Sequence, residues 1–429
     1  MNQKFFVPRG TADILPDTIA LWENLETTAR RILKSYGYRE IRTPMYEETA
    51  LFKRSLGQTS DIVNKQLLEL ATEKEEGYAL RPEGTAAVVR SYIENSFDKK
   101  EPLSKLFYIG PMFRGERPQK GRLRQFHQIG VEAIGPNSIS DFLDAEVIAL
   151  AMHLLKDFGV QNPKLKINSL GSKEDKEHIS IWLRQEFSKY KNDLCEECQS
   201  RYERNVFRVL DCKNESCKKI AHHQVLGKNK DLLSLPGVSG ASRLHFEGIQ
   251  RVLNQLEIEY EVSPHLVRGL DYYEFTVFEI TAGGSLGSQD AVGAGGRYSD
   301  LVVELGGDAK ANIGAFGFAL GVERILLASE AIQNKVEGID VYVVIKTPGS
   351  EYQQKAFKIL DSLRKAGISA DMSYNSKKID AQLNRANKLN ARFAVILMED
   401  YTIAVKDMRT SEQMPVGQDI VEVIKSKLI

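Results

Sequence analysis

Apolar residues recur at steps of three and four near the start of the chain, which predicts a long amphipathic helix. The repeating positions are Trp22, Leu25, Ala29, Ile32, Leu33 and Tyr36. Pro16 precedes this pattern and Gly37 follows it, as expected for a helix start and a helix end. Residues 38–43 then predict a strand that ends at Pro44.

Two apolar strands are predicted at 105–113 and 125–134, joined by a polar loop. Alternation along the second strand separates two faces. One face holds Phe126, Gln128, Gly130 and Glu132, and the other holds His127, Ile129, Val131 and Ala133. A polar face with Gln and Glu four residues apart predicts a strand that lines a site.

The remaining pattern predicts an inserted subdomain and a second domain. Residues 171–250 are rich in charges and short helical pieces between segments of one sheet. A strand at 272–280, a Gly-rich run at 283–296 and a helix near 318–331 follow. From Ile339 the chain predicts strand 340–346, helix 351–366, strand 369–374, helix 377–389, strands 392–398 and 402–407, and helix 418–428. This alternation is typical of a compact α/β domain.

The composition narrows the class of protein. The 429 residues favour two or three domains, and 42% hydrophobic residues supply a buried core. Lys+Arg and Asp+Glu are 58 each, which excludes a strongly basic nucleic-acid binder or an acidic tail protein. Neither an apolar leader nor a run of about 18 apolar residues occurs, so we expect no membrane insertion and a cytoplasmic protein.

Four cysteines leave a metal site open. Cys195-x2-Cys198 and Cys212-x4-Cys217 could close a tetrahedral zinc site. The second pair is irregular and no Gly-rich knuckle follows either pair, which favours four ordinary cysteines in a charged helical insertion. We therefore assign no metal ligand from the sequence.

Arginines carry the clearest chemical signal. Five cations occur within the eleven residues 114–124, where they would repel one another without an anionic partner. A solvated hairpin tip would explain them equally simply. Arg268 opens a predicted strand and needs an anion, either a ligand or an internal partner such as Asp271 or Glu279. Arg324 lies in a predicted helix, where its stem could simply pack on the core.

Two further segments are weaker signals. Glu83-Gly-Thr85 is a turn that could start a helix at 85–94 and leave a carboxylate at the edge of a site. Gly293-Ala-Gly-Gly-Arg-Tyr-Ser299 could let backbone approach a ligand, yet it is neither a dinucleotide fingerprint nor a Walker loop.

Taken in order, these segments resemble the class II aminoacyl-tRNA synthetases, and within that class the bacterial histidyl-tRNA synthetase family. The helix and strand before Pro44 resemble motif 1. Phe113-Arg-Gly-Glu116 with Arg122-Leu-Arg-Gln-Phe126 resembles motif 2, and Gly317-Phe-Ala-Leu-Gly-Val-Glu-Arg324 resembles motif 3. Leu266-Val-Arg-Gly-Leu-Asp-Tyr-Tyr273 and Gly293-Ala-Gly-Gly-Arg-Tyr298 match the two histidine-specific peptides of the family.

The resemblance implies a fold and an activity. Residues 1–330 would form an α+β catalytic domain, an antiparallel sheet flanked by helices with an insertion at about 171–250. Residues 331–429 would form an α/β anticodon-binding domain, and motif 1 would build a homodimer. The implied enzyme is a histidine–tRNA ligase, which converts L-histidine and ATP to histidyl-adenylate and pyrophosphate. It then transfers histidine to the 3′ end of tRNA(His).

Site residues carry over position by position. For ATP, Arg114 would bind the α-phosphate, and Arg122 and Arg324 would bind the β and γ phosphates with Mg²⁺. Glu116 would bind the adenine amino group. Phe126 and Arg324 would enclose the adenine ring. Arg268 would stand over the α-phosphate, so that Arg268 and Arg114 are the expected catalytic residues. The expected histidine-binding residues are Glu83, Gly84, Thr85, Gln128, Glu132, Tyr272 and Tyr273. Arg117 and Gln119 would meet the acceptor end of the tRNA.

Two other classes of protein stay open at this point. A regulatory paralogue from histidine biosynthesis would lack the C-terminal domain and have eroded signature peptides, whereas both are intact here. A synthetase for proline, threonine or glycine would share the C-terminal domain but not the histidine peptides.

Overall fold

The computed structural model describes residues 4–57, 60, 62–71, 77–227, 231–268, 270, 272–283, 290–329, 338–375, 378–417 and 419–428. The chain divides into two compact units, Met1–Asn334 and Lys335–Ile429. The border falls within 330–337, outside the described residues.

The first unit mixes helices and strands along the chain. In chain order its elements are α1 (Pro16–Ser35), β1 (Arg39–Glu40), β2 (Tyr46–Glu48), α2 (Thr49–Ser55), β3 (Leu68–Leu70), β4 (Tyr78–Leu80), α3 (Thr85–Glu94), β5 (Ser104–Phe113), β6 (Gln125–Pro136), α4 (Asp141–Asp157), β7 (Lys164–Ser169), α5 (Lys173–Ser188), α6 (Glu196–Arg204), α7 (Phe207–Leu210), α8 (Glu215–Lys219), α9 (Gly240–Gln255), β8 (Tyr260–Val262), β9 (Glu274–Thr281), β10 (Ala291–Arg297), α10 (Ser299–Glu304), β11 (Ile313–Gly321) and α11 (Val322–Ala328).

One large sheet organises this unit. Its eight strands lie in the order β1-β5-β6-β11-β10-β9-β7-β8. The β1/β5 and β7/β8 pairs are parallel and the pairs between them are antiparallel. A second, antiparallel sheet has the order β2-β4-β3. The predicted antiparallel sheet flanked by helices is therefore confirmed.

The N-terminal helix forms as its periodicity predicts. Leu25, Ala29, Ile32 and Leu33 are buried on one face of α1, and Gly37 follows with φ at +81°. The strand predicted at 38–43 is shorter, since β1 covers Arg39–Glu40 alone. After β1, the Ile41 amide donates one further bond to the Phe107 carbonyl.

Helices α5 to α9 occupy the segment between β7 and β9, two neighbouring strands of the sheet. The segment opens with a capping box, in which the Ser172 hydroxyl and the Asp175 carboxylate each accept from the other's backbone amide. Asp175 also accepts bonds from Ser239 and Ser242, which ties the start of α5 to the start of α9.

The helix predicted near 318–331 is wrong in its first part. Residues up to Gly321 belong to β11, a strand with neighbours on both sides, and the helix α11 begins at Val322. The Gly-rich run likewise forms strand β10, and 284–289 lie outside the described residues. A Cβ on Gly295 would lie 2.2 Å from the Gly317 carbonyl oxygen, so this glycine permits close strand packing.

The second unit alternates strands and helices. Its elements are β12 (Val341–Ile345), α12 (Ser350–Lys365), β13 (Ala370–Met372), α13 (Ile379–Lys388), β14 (Phe393–Leu397), β15 (Ile403–Asp407), β16 (Gln413–Val416) and α14 (Ile420–Leu428). The sheet order is β13-β12-β14-β15-β16, with β12 parallel to both of its neighbours. Every element predicted here is present, and β16 is an additional strand that the sequence pattern did not predict.

Across the chain as far as the structure describes it, none of the helices combines the length and the apolar character needed to cross a lipid bilayer.

Candidate active site

The polar face of β6 lies at the centre of the large sheet, between β5 and β11. Gln128 is aligned with Gly110 on one side and Gly321 on the other. Glu132 is aligned with Gly317, where an added Cβ would lie 2.0 Å from the Glu132 carboxylate. Glycine at 317 therefore provides the space that the Glu132 side chain occupies.

Glu132 is a buried carboxyl group surrounded by hydroxyl groups. Thr85 Oγ1 donates to its Oε1 at 2.7 Å, Tyr108 OH donates to the same oxygen at 3.4 Å, and Tyr298 OH donates to Oε2. Burial raises the pKa of Glu132 to about 8, against the lowering effect of these hydrogen bonds. A cation or an N–H donor placed beside Glu132 would favour its ionised form.

Glu83 lies at the beginning of α3. Its carboxylate accepts from the backbone amides of Thr85 at 2.6 Å and Ala86 at 2.9 Å. Burial raises the pKa of Glu83, although both amide bonds oppose the shift. Gly84 is required beside it, because a Cβ there would lie 2.2 Å from the Tyr108 ring.

Two tyrosines close one side of this region. The rings of Tyr272 and Tyr273 are buried and lie 4.6 Å apart between centroids, and Tyr272 lies 5.8 Å from Tyr298. Burial raises the pKa of Tyr273 to about 12. Lys176 on α5 donates to the Tyr273 carbonyl at 2.8 Å, so the insertion helps to hold this segment.

Arg114 begins the loop after β5. Its Nε donates to the Pro82 carbonyl at 2.8 Å, and its guanidinium carbon lies 5.1 Å from the centre of the Phe126 ring. Burial lowers the pKa of Arg114, while the charges of Glu116 and Glu83 raise it. The buried guanidinium group of Arg114 thus contacts two neutral groups, the Pro82 carbonyl and the Phe126 ring. The charges of Glu116 and Glu83 favour its protonated form.

Arg324 on α11 reaches the same loop. Its Nε donates to the Gly121 carbonyl at 3.0 Å and its Nη1 donates to the Ala291 carbonyl. Burial lowers the pKa of Arg324 first, and the positive charge of Arg122 lowers it further. The positive charge of Arg114 also lowers the pKa of Arg324. The guanidinium groups of Arg114, Arg122 and Arg324 are therefore close enough to interact electrostatically, and they form one arginine cluster.

Arg268 joins this cluster through Glu279. Its Nη1 contacts Glu279 Oε2 at 2.7 Å, which confirms one of the two internal partners considered from the sequence. The other, Asp271, lies outside the described residues. The charge of Glu279 also raises the pKa of Arg324, so this carboxylate acts on both arginines.

Two buried polar atoms at this site lack a hydrogen-bond partner among the residues that the structure describes. They are Arg268 Nε and Gln128 Oε1. An unsatisfied buried donor or acceptor is costly, with a penalty of about 1–3 kcal/mol, unless a ligand completes it.

The structure does not bring every predicted site residue into the cluster. Arg117 and Gln119 are exposed on the hairpin tip, where Gln119 and Arg122 exchange backbone hydrogen bonds at 3.0 and 2.9 Å. Arg122 also pairs with Glu116 at 3.2 Å.

Two of the hydroxyl donors to Glu132 were not predicted from the sequence. Tyr298 lies inside the second histidine-specific peptide, but no contact with Glu132 was predicted for it. Tyr108 lies on β5, and its position opposite Gly130 is a consequence of strand pairing. Glu323 was also missed, and it accepts from the His127 amide at 2.9 and 3.0 Å, which connects α11 to β6.

Known families and relatives match most of the chain. The family model described as histidyl-tRNA synthetase matches residues 10–325, and that described as anticodon binding domain matches 340–427. A histidine–tRNA ligase from Desulforamulus reducens is 43% identical over 428 residues, covering 98% of this chain and 99% of its own length. Another, from Geobacillus sp. (strain WCH70), is 44% identical over 435 residues and covers 99% of each chain.

Among solved structures, the apo histidyl-tRNA synthetase of S. aureus superimposes with a TM-score of 0.77 at 33% identity, covering 99% of each chain. The predicted enzyme class, an aminoacyl-tRNA synthetase specific for histidine, is confirmed by these relatives. ATP is the nucleotide substrate of this class of enzymes. The chain belongs to the histidyl-tRNA synthetase family.

Proposed function

We propose that this protein attaches histidine to tRNA(His) in two steps. L-Histidine and ATP first give histidyl-adenylate and pyrophosphate, and the 3′-terminal ribose of the tRNA then takes the histidyl group. The observation that carries this proposal is the cluster of Arg114, Arg268 and Arg324 together with the buried carboxyl group of Glu132. Such an arrangement suits a triphosphate and a small N–H-bearing substrate held side by side.

ATP would bind across the arginine cluster. Arg114 contacts the α-phosphate, Phe126 and Arg324 enclose the adenine ring, and Arg122 with Arg324 bind the β and γ phosphates. Glu116 accepts a hydrogen bond from the adenine amino group. The pair between Glu116 and Arg122 must open for this, and its cost is small because the Arg122 side chain is 35% exposed.

The first step requires charge stabilisation rather than a protein base. A carboxylate oxygen of histidine attacks the α-phosphorus of ATP, and the bond to the pyrophosphate oxygen breaks. Negative charge grows on the α-phosphate oxygens in the transition state, where the fixed guanidinium groups of Arg114 and Arg268 stabilise it. A carboxylate is already a nucleophile, so no proton has to be removed.

Histidine would fill the pocket formed by Glu83, Gly84, Thr85, Gln128, Glu132, Tyr272 and Tyr273. The unpaired Gln128 Oε1 and the buried carboxyl group of Glu132 are acceptors suited to the ammonium and ring N–H groups of histidine. A site that hydrogen-bonds such groups rejects analogues lacking them by about four orders of magnitude. No separate proofreading step is then needed.

A divalent cation would accompany ATP, and we propose Mg²⁺. Mg²⁺ sites on nucleotides need only one or two protein carboxylates besides the phosphates and water. Glu279, which pairs with Arg268, is a carboxylate that fits that requirement. The cation would neutralise part of the charge on the β and γ phosphates.

The tRNA would contact two parts of the chain. The exposed Arg117 and Gln119 would meet the acceptor end, and the α/β unit at 331–429 would bind the anticodon. The domain borders proposed are 1–330, with the insertion at about 171–250, and 331–429. We also propose a cytoplasmic location, where tRNA charging supplies the ribosome.

A homodimer formed through the motif 1 region is part of the proposal. Exposed large apolar side chains near the N-terminus support it. Phe5 is 93% exposed and Phe6 is 84% exposed, and Leu15 and Ile19 at the beginning of α1 are exposed as well. An apolar surface of this kind is typical of a protein–protein interface.

Amino-acid-dependent exchange between ATP and pyrophosphate tests the activity directly. With each of the twenty amino acids in turn, we expect exchange with histidine alone at a substantial rate. A regulatory paralogue would give no exchange with any amino acid, and a synthetase of another specificity would prefer a different one. Either result would overturn the proposal.

Deletion of 330–429 separates activation from tRNA binding. We expect the shortened protein to lose tRNA charging to a greater extent than exchange, because the histidine and ATP residues lie in the first unit. Equal losses in both assays would argue against a tRNA-binding role for the second unit.

A further inference from the structure

The four cysteines of the chain, which the sequence left without a role, converge in the insertion. The sulfur atoms of Cys195, Cys198, Cys212 and Cys217 all lie within 4.8 Å of one another. Cys198, Cys212 and Cys217 are buried and Cys195 is partly buried. The sequence contains four cysteines in total, so every cysteine of the protein takes part in this cluster.

The spacing of the sulfur atoms fits a tetrahedral ion. Zinc–sulfur bonds of about 2.3 Å place neighbouring sulfur atoms about 3.8 Å apart around a shared centre. Cys195 Sγ and Cys212 Sγ are 3.9 Å apart. All four cysteines are free thiols rather than disulfide partners.

Backbone amides also point at the sulfur atoms. The Cys195 amide donates to Cys217 Sγ at 3.2 Å, and the Asn214 amide donates to Cys212 Sγ at 3.4 Å. Amide donors of this kind stabilise thiolate charge and orient metal ligands. The Asn214 side chain accepts from the Ser216 and Cys217 amides, which fixes the start of α8 where the fourth sulfur lies.

We propose that Cys195, Cys198, Cys212 and Cys217 bind one structural zinc ion. Four thiolates are soft ligands, and a tetrahedral set of four sulfur atoms is typical of zinc sites. Four protein ligands leave no open position for a substrate, so the ion is structural. The irregular spacing of the second pair is accommodated because Cys212 follows the short helix α7 and Cys217 lies inside α8.

The site would tie together a segment with little other regular structure. Helices α6, α7 and α8 are nine, four and five residues long, too short to be stable alone. Arg208 on α7 donates to the Arg268 carbonyl at 3.4 Å. A zinc ion at the cluster would therefore hold together the segment that packs on the backbone of Arg268.

Metal analysis of the full-length protein tests the proposal without an activity assay. The protein is purified under reducing conditions, supplied with zinc and dialysed, and we expect about one zinc ion per chain. Cys198→Ser and Cys217→Ser should each retain less than about a tenth of that amount, with a lower Tm. Val209→Ala is the matched control, because it removes buried volume from α7 and keeps all four ligands. It should lower Tm yet keep one zinc ion.

Cobalt substitution covers the case in which a serine variant fails to fold. The wild-type protein reconstituted with Co²⁺ should show the visible absorption bands of tetrahedral cobalt bound to thiolates. The proposal is overturned if wild-type protein retains no zinc, or if the cluster holds only iron or forms disulfides. It is also overturned if Cys198→Ser binds zinc as the wild type does.

Discussion

Two arginines of the first unit, Arg297 and Arg268, have very different surroundings. Arg297 at the end of β10 has a fully buried side chain and pairs with Asp144, whose carboxylate also contacts His245 at 3.0 Å and Thr276 at 2.9 Å. Arg268, just before β9, is 22% exposed in its side chain. It contacts one carboxylate, and its Nε has no partner among the described residues.

The charge of Arg297 is fully paired within the fold, whereas the charge of Arg268 is only partly paired and leaves a donor for a ligand. The Arg297 network is closed, because both charges and their neighbouring polar groups pair within the protein. The Arg268 region is open, and Arg114 and Arg324 nearby rely mainly on backbone carbonyls. Incomplete pairing of buried cations favours the binding of an anion, which in the proposed function is the triphosphate of ATP.

The largest effect is expected from Arg297→Met, which breaks the closed network. Asp144 would be left as a buried carboxylate without its cation, at a cost of about 3–5 kcal/mol in the free energy of unfolding. Urea unfolding measures the change. Arg31→Met is the matched control, because Arg31 pairs with Asp157 but is 65% exposed, and it should cost less than about 1 kcal/mol. If both variants lose the same free energy of unfolding, the buried Arg297 pair contributes no more to stability than an exposed ion pair.

Arg268→Ala should have the opposite profile. We expect adenylate formation to slow by at least about a hundredfold, since one preorganised charge is lost from the transition state. The Tm should change little, because the open region does not hold the sheet together. Pyrophosphate exchange and thermal unfolding measure the two effects, with Arg31→Ala as the control. Near-normal adenylate formation would show that Arg268 has no catalytic role.

Glu132 provides a pH test of the open region. Its pKa is raised to about 8 in the fold from 4.5, so the folded protein keeps a proton that the unfolded chain releases. The free energy of unfolding of the ligand-free protein should therefore fall as pH rises from 5.5 to 7.5, with a Glu132 contribution on the order of 2 kcal/mol.

Comparison with Glu132→Gln isolates this contribution from other carboxyl groups. The variant should show a shallower decline over the same pH range in urea unfolding. If the wild type and the variant lose the same free energy of unfolding between pH 5.5 and 7.5, the pH dependence does not arise from the carboxyl group of Glu132.

The smallest effect on activation is expected from Arg117→Ala, at the exposed tip of the hairpin. Exchange should stay within about twofold of the wild type, whereas tRNA charging at limiting tRNA should fall roughly fivefold through loss of one phosphate contact. Parallel measurements of exchange and charging test this prediction. An equal fall in exchange and charging would indicate that Arg117 contributes to ATP binding rather than to tRNA binding.

Local patterns gave much of the fold. The buried face of α1, the β5–β6 hairpin and the alternation after Ile339 are all repeats over a few residues, and each formed as predicted. The pattern failed at 318–321, where a strand buried on both faces is a continuous apolar run that resembles a helix start. It also missed β16, which contains Pro415 and mostly exposed residues.

Contacts between residues far apart in the chain could not be predicted from the sequence pattern. Arg297 lies within the second histidine-specific peptide, yet its partner Asp144 is 153 positions away and carries no local signal. The pairing of Tyr298 with Glu132 likewise depends on strand order. Resemblance to motifs 2 and 3 and to the first histidine-specific peptide predicted Arg114, Arg324 and Arg268 as site residues. Their different degrees of pairing emerged only from the folded chain.

A crystal structure with ATP and L-histidinol, an analogue without the reacting carboxylate, tests directly whether the three arginines bind the nucleotide next to histidine. We expect Arg114 and Arg268 to contact the α-phosphate, Arg324 to contact the nucleotide, and the histidinol ring to lie beside Glu132. Arg297 should keep its pairing with Asp144 unchanged. ATP bound away from these three arginines, or histidinol bound away from Glu132, would show that the proposed site is wrong.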